Sequence, residues 1–356
     1  MSDAYAGAGV DTAEADAGVA AIVSVLSRIE TGSPSRVVDL PGHFAAVLRL
    51  DPRLGLAFCT DGVGTKVVVA EQAGRLDTVG IDCVAMNVND LVCVGAEPIA
   101  VVDYLAVEQA DPARLAAIAE GLREGAQQAG VEIPGGELAQ VPELIKGHPS
   151  PGGFDLCASA VGTVALDSVI DGSAISEGDT LIGMPSSGLH SNGLTLAREV
   201  LLGEGSLDDR PERLGGKSIA DVLLEPTVIY VRAVLDLLRS DLQPSGLFHI
   251  TGGGLLNLLR LGSGVGYRID DPLPAPPVFG LIAETAGIDA AEMHEVFNMG
   301  CGFAVTIPSS QADEAVSLLA GHHPGTRVIG TVTARTGLVE VPSLAIEGDS
   351  SGLRAG

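Results

Sequence analysis

Apolar positions follow two periods along this chain. In "EADAGVAAIVSVLSRI" (14–29), "TVGIDCVAMNVNDLVCVGAEP" (78–98) and "DPARLAAIAEGLREGAQQAG" (111–130) they recur at helical spacing. In "GLAFCT" (55–60), "IAVVDYLAV" (99–107) and "FDLCASAVGTVAL" (154–166) they run as strands do. Asp111 before Pro112 predicts an N-cap with proline at the first helical position, and Gly130 predicts the stop. "GGELAQVPELIKGHPSPGG" (135–153) reads as a loop.

A second set of elements begins after residue 167. Its pattern predicts a strand at 179–184, helices near 193–202 and 226–240, and a glycine-rich turn into an apolar helix in "HITGGGLLNLLRL" (249–261). Further strands are expected near 302–307 and 326–332, with "DDPLPAPPVFG" (270–280) as a surface connection. The expected organisation is an α/β chain of the α+β type in two domains, 1–166 and 167–345, with a tail at 346–356.

Composition narrows the function classes. The 356 residues are 46% hydrophobic but only 3% aromatic, with no tryptophan, so the cores are built from small aliphatic side chains. A net charge of −26 disfavours nucleic acid and anionic membranes as partners. Lysine is scarce (Lys66, Lys146, Lys217), and the scattered acids suit a solvated surface of the kind found at high salt. Cys59, Cys83, Cys93, Cys157 and Cys301 are odd in number, widely spaced and set among apolar residues, which predicts buried thiols in a reducing compartment. The N-terminal "MSDAYAGAGVD" has no basic or apolar leader character and no run approaches a membrane span; the expectation is a soluble, cytoplasmic protein.

Four stretches carry candidate chemistry. "TDGVGTK" (60–66) ends a strand, with Gly62 and Gly64 freeing the backbone and Asp61 and Lys66 supplying opposite charges; it lacks the GxxxxGK[ST] spacing of a Walker A loop, and by itself a turn explains it as well as a site. In "GIDCVAMNVNDLV" (80–92), Asp82, Asn89 and Asp90 fall near one face among apolar neighbours, where carboxylates are costly unless they bind something. An Asp61 and Asp90 pair suits Mg²⁺, which takes one or two carboxylates plus substrate phosphates. "SSGLHSNG" (186–193) and "HITGGG" (249–254) each precede a predicted helix, where hydroxyls and amides meet anions; His190 is an acid, a base or a simple donor.

Taken in order, "TDGVGTK", "GIDxVAMxVNDLVxxGAEP", "GGE", "GDxLIGxxSSGxHSNG", "PTxIYV", "HxTGGG" and "EMxxxFNMGxG" resemble phosphoribosylformylglycinamidine cyclo-ligases, from "YAGAGVD" (5–11) to about residue 345. The resemblance implies a homodimer whose N-terminal sheets pair into a shared barrel. It also implies ATP-dependent closure of formylglycinamidine ribonucleotide to 5-aminoimidazole ribonucleotide with Mg²⁺. Carried over, ATP meets Thr60, Asp61, Gly62, Gly64, Thr65, Lys66, Asn89, Asp90, Gly135, Gly136 and Glu137, with the metal on Asp61, Asp90 and Glu137. The ribonucleotide meets Ser186, Ser187, Gly188, His190, Asn192, Thr251, Gly252 and Gly253. Catalytic roles fall to Asp61, to Lys66 as countercharge and to His190 as proton carrier.

The chain departs from the family where Leu138 and Gln140 replace a threonine and an acid, and where His43 interrupts a stretch that is usually richer in glycine. Related folds, a selenophosphate synthetase, a thiamine-monophosphate kinase and a hydrogenase-maturation dehydratase, fit less well. Cys59 and Lys66 are the first cysteine and lysine in the chain, and it ends "SSGLRAG" without a terminal cysteine. A catalytically dead nucleotide binder is the remaining alternative, opposed by intact Asp61, Lys66, Asp90 and His190.

Overall fold

The computed structural model describes residues 12–203, 205–262 and 264–356, so the "YAGAGVD" part of the resemblance lies outside the described residues. Helix α1 (Thr12–Leu26) leads into a five-stranded sheet built from β1 (Ala46–Arg49), β2 (Leu54–Gly62), β3 (Glu97–Val107), β4 (Glu132–Gln140) and β5 (Phe154–Ala165), in the order β1-β2-β5-β3-β4. Between them lie α2 (Lys66–Ala73), α3 (Val79–Cys93) and α4 (Pro112–Ala129). The predicted α4 ends are realised in detail: the Asp111 side chain accepts from the amides of Ala113 and Arg114, and Gly130 adopts φ 75°.

Strand β5 shows why this sheet has two unlike faces. Phe154, Leu156, Ala158, Ala160, Gly162 and Val164 are buried under the helices, and the residues alternating with them are not. The open face carries Phe58, Val102 and Tyr104, each more than one-third exposed. Beneath the covered face, α3 and α4 cross so closely that a Cβ on Gly80 would lie 2.2 Å from the Leu122 amide nitrogen. Glycine is required there by backbone contact.

The second sheet has eight strands in the order β13-β12-β11-β8-β10-β6-β9-β7. Its strands are β6 (Thr180–Pro185), β7 (Gly246–His249), β8 (Gly266–Ile269), β9 (Cys301–Ile307), β10 (Arg327–Thr333), β11 (Val339–Val341), β12 (Ile346–Asp349) and β13 (Gly352–Ala355). Helices α5 (Leu194–Leu202), α6 (Ile219–Leu223), α7 (Val231–Arg239), α8 (Pro277–Ala286), α9 (Ala290–Val296) and α10 (Ala312–His322) complete this half.

Four expectations change. Residues 346–356 are not a tail, because Ile346–Val341 and Glu347–Arg354 pairings extend the second sheet through them. "GGELAQ" is strand, paired parallel to β3, rather than loop. Past Gly253, "GLLNLLR" forms a run of 3₁₀ turns instead of an α-helix. "DDPLPAPPVFG" is not simply surface: α8 starts within it and Phe279 is fully buried.

His43 also gains a reason. Its Nδ1 accepts from the Phe44 amide, so Nε2 carries the proton and donates to Ile170 O at 2.8 Å. From the other half of the chain, Arg260 donates to the carbonyls of Gly42 and His43, and its guanidinium stacks 4.1 Å from the Phe44 ring centroid. The segment ties the two sheets together, and burial lowers the His43 pKa to about 4, keeping it neutral.

Candidate active site

The two candidate loops of the sequence meet face to face. Strand β2 ends at Gly62, Gly64 turns the chain at φ 70°, and α2 starts at Lys66. Opposite, Gly193 turns at φ 71° into α5. The hydroxyls of Thr65 and Thr195 touch at 3.0 Å, and among the described residues the neighbour a Gly64 Cβ would meet is Ser191 O at 4.0 Å. The start of α5 thus lies against the α2 turn, so two helix starts, whose first amides find no partner within their own helix, meet at one place. On the third side, Gly252 packs against Asn192 Oδ1, bringing "TGGG" to the same place, while Asn257 braces that turn through Gly252 O and Gly254 O.

Asp61 and Asp90 are near neighbours here. Burial pushes the Asp61 carboxyl up from its usual range, the Gly62 amide bonded to its Oδ1 opposes this, and the charge of Asp90 raises it further. Two carboxylates whose charges act on each other would suit a divalent cation, which takes one or two carboxylates together with phosphate oxygens and would offset that repulsion. Among the described residues, no group of three His, Cys, Asp or Glu side chains gathers as a metal set.

Glu137 accordingly does not join the pair. Register runs Gly62, Cys157, Tyr104, Glu137 across one row and Asp61, Ala158, Asp103, Gly136 across the next. Side chains of adjacent rows point to opposite faces, so Glu137 lies on the open face, three strand spacings or roughly 14 Å from β2. Gly135 and Gly136 lie on the same edge strand, and Thr60 faces the same side as Glu137.

Lys66 is corrected as well. Its ammonium is fully buried and all three protons are engaged, by Asp82 Oδ1 at 2.9 Å, His190 O at 3.2 Å and Glu225 O at 2.6 Å. The expected phosphate countercharge is used inside the protein on Asp82, which also accepts from the amide and hydroxyl of Thr227. This answers why a carboxylate sits on the apolar side of α3: it anchors the second half of the chain. Asn89 does the same, accepting from Tyr230 N and donating to Val228 O.

His190 is fully buried, with φ 63°. Its Nε2 accepts from the amides of Ser187 and Val228, which places the proton on Nδ1, a buried atom without a partner. Burial holds its pKa well below the ordinary value, and His249 and Lys66 act in the same direction. Neither nitrogen reaches the cleft, so the expected proton-carrier role is replaced by an anchoring one that joins the 186–190 turn to residues 226–230. Ser186 and Ser187 give their protons to Asn298 Oδ1 and Pro226 O, and Asn298 also holds the Gly188 carbonyl. Asn192, Thr251, Gly252 and Gly253 remain at the accessible edge of the cleft.

Two residues were not singled out from sequence. His249, the first letter of "HITGGG", bonds Asp90. Arg198, one turn into α5, is half-buried with an unpartnered Nε. Its spacing of three from Thr195 in a helix opening on the cleft was the available signal.

Residues 42–164 match the family described as AIR synthase related protein, N-terminal domain, and residues 176–341 match its C-terminal domain. A phosphoribosylformylglycinamidine cyclo-ligase of Methanothermobacter thermautotrophicus is 46% identical over 95% of this chain and 96% of its own. The chain belongs to the phosphoribosylformylglycinamidine cyclo-ligase family. It is therefore an enzyme of the ligase class. The Thermococcus kodakarensis cyclo-ligase is 47% identical, covering 94% of this chain and 96% of its own.

Solved structures share the fold. AaThiL complexed with AMPPCP and TMP is 17% identical with a TM-score of 0.62, covering 91% of this chain and 92% of that one. The hydrogenase maturation protein HypE in complex with ATP is 21% identical with a TM-score of 0.59, covering 86% of each. No helix among the described residues is long and apolar enough to cross a membrane.

Proposed function

We propose that this enzyme closes formylglycinamidine ribonucleotide to 5-aminoimidazole ribonucleotide at the expense of ATP, in purine biosynthesis. The observation that carries the reading is the way these elements meet. In a chain of this family, two helix starts, the "TGGG" turn and the Asp61 and Asp90 pair converge where phosphates and a cation would be held.

The reaction needs little covalent help. An amide oxygen is a poor leaving group; attacking the γ-phosphate of ATP it takes the phosphoryl group and releases ADP, and it then departs as phosphate when the substrate's own nitrogen closes the ring and loses a proton. The chain supplies positioning and charge stabilisation. Mg²⁺, bound by Asp61 and Asp90, would neutralise phosphate charge. The backbone at Gly62, Gly64 and Thr65 approaches the nucleotide phosphates, and Asn192, Thr251, Gly252 and Gly253 face the ribonucleotide. Lys66 and His190 hold the cleft walls in register rather than touch the reacting atoms.

The decisive assay combines purified protein, ATP, Mg²⁺ and formylglycinamidine ribonucleotide, scored for 5-aminoimidazole ribonucleotide at low and high salt. Product in either condition is the expected result. ATP binding with no product in both would replace this reading with that of a non-catalytic binder.

The open sheet face supports a homodimer. Phe58, Val102 and Tyr104 lie on one surface, and an exposed apolar sheet face calls for a cover. Introducing Val102→Asp together with Tyr104→Asp is expected to convert a dimer into a monomer in light scattering. A double variant that keeps the mass of the wild type would refute the shared-sheet interface.

A further inference from the structure

His249 is completely buried at the end of β7, in the C-terminal sheet, yet its ring meets two residues of α3 in the N-terminal half. Nδ1 lies 2.8 Å from Asp90 Oδ1, and Nε2 lies 3.4 Å from Asn89 Nδ2. The network assigns the tautomer. Asn89 Oδ1 accepts from the Tyr230 amide, so the other end of that side chain is the amino group, which donates to Val228 O and, with its second proton, toward His249 Nε2. Nε2 is then the acceptor, and Nδ1 carries the proton that it donates to Asp90.

The chain of bonds therefore runs from the backbone of 228–230, through Asn89 and His249, to one oxygen of Asp90. Asp90 keeps 18% side-chain exposure, whereas every other member of the chain is buried or packed. A carboxylate fixed at one oxygen has its rotamer set and its second oxygen left for a ligand, as outer partners do for metal ligands generally.

We infer that His249 is a positioning residue that orients Asp90 for the divalent cation, so that the C-terminal sheet sets the cation affinity of a site built from N-terminal carboxylates. The inference rests on the reading that Asp61 and Asp90 hold the cation. It makes His249 neither a ligand nor a proton donor to substrate.

The test measures Mn²⁺ binding to the protein without nucleotide, by the loss of the free-ion electron paramagnetic resonance signal. His249→Leu is expected to weaken binding about 10- to 100-fold. His249→Asn, whose amide N–H takes the place of Nδ1–H, is expected to stay within a few-fold of wild type, and His249→Gln, which reaches the Nε2 position instead, to behave like the leucine variant. Equal weakening in Asn and Gln variants, or wild-type affinity in His249→Leu, overturns the inference. Should the leucine variant not fold, the Asn and Gln pair still decides. Asp61→Asn and Asp90→Asn separate the two levels: wild-type Mn²⁺ binding in both overturns the cation reading, whereas loss in both with an unaffected His249→Leu overturns only the role of His249.

Discussion

Replacing Asp82 by alanine is expected to destabilise the protein by about 3–5 kcal/mol, the cost of leaving a buried partner charge uncompensated. Lys66 and Asp82 have no side-chain exposure, and the remaining Lys66 partners are two carbonyls from the second half of the chain. Water cannot replace the carboxylate without opening the contact between the halves. The double variant Lys66→Met with Asp82→Leu separates charge from packing. It removes both ions, so most of the loss is recovered, but the Thr227 amide and hydroxyl still lose their acceptor, leaving a deficit of about 1–3 kcal/mol. Urea denaturation followed by circular dichroism measures both. An Asp82→Ala midpoint equal to that of the wild type would show that the pair is not what holds the halves together.

Asp61→Asn is expected to lower kcat/KM for ring closure roughly 10²- to 10³-fold, the scale of losing one preorganised electrostatic contact. Stability moves the other way. Asp61 is raised by burial and by the charge of Asp90, so a neutral amide of the same shape removes a penalised charge from the folded state. The variant should unfold at an equal or higher denaturant concentration while losing turnover, the usual signature of a site strained for function. Near-normal turnover would remove Asp61 from the cation site, and lost stability alongside lost activity would make its role structural.

The pH dependence follows from the same burial. His43 and His323 are both held at about 4, below their ordinary value of 6.5, and must stay neutral in the folded state. The unfolded chain binds these protons first, so the stability contribution is complete above pH 6.5 and is lost progressively as pH falls from there toward 4. Stability measured by urea denaturation should decline over that window, and His43→Asn should shallow the slope. A flat response between pH 6.5 and 4.5 would contradict the neutral assignment of these rings.

Much of the fold was legible in the chain because its signals are local. The Asp111 cap, Pro112 and Gly130 specify α4 from neighbours a few residues away, and the buried alternation of β5 needs only its own pleat. The cleft was legible too, since its glycine turns carry recognisable spacing. The edge strands β12 and β13 were not, because short strands take their identity from a partner: Glu347 faces Arg354, and nothing in "SSGLRAG" announces that pairing by itself.

Residue roles divide along the same line. By itself the sequence determined which chemical groups reach the neighbourhood of the site, acids at the end of β2 and on α3, glycines before α5 and after β7. Only the tertiary structure decided how they are used. Lys66 meets Asp82, His190 and Glu225 across separations of 16, 124 and 159 residues, and those contacts turn an apparent phosphate ligand into an internal counterion. Glu137 and Asp61 differ by one register row, and that single pleat sends them to opposite faces. A charge finds its partner through burial and distance, which depend on the packed chain, whereas periodicity and capping depend on residues within a turn or two.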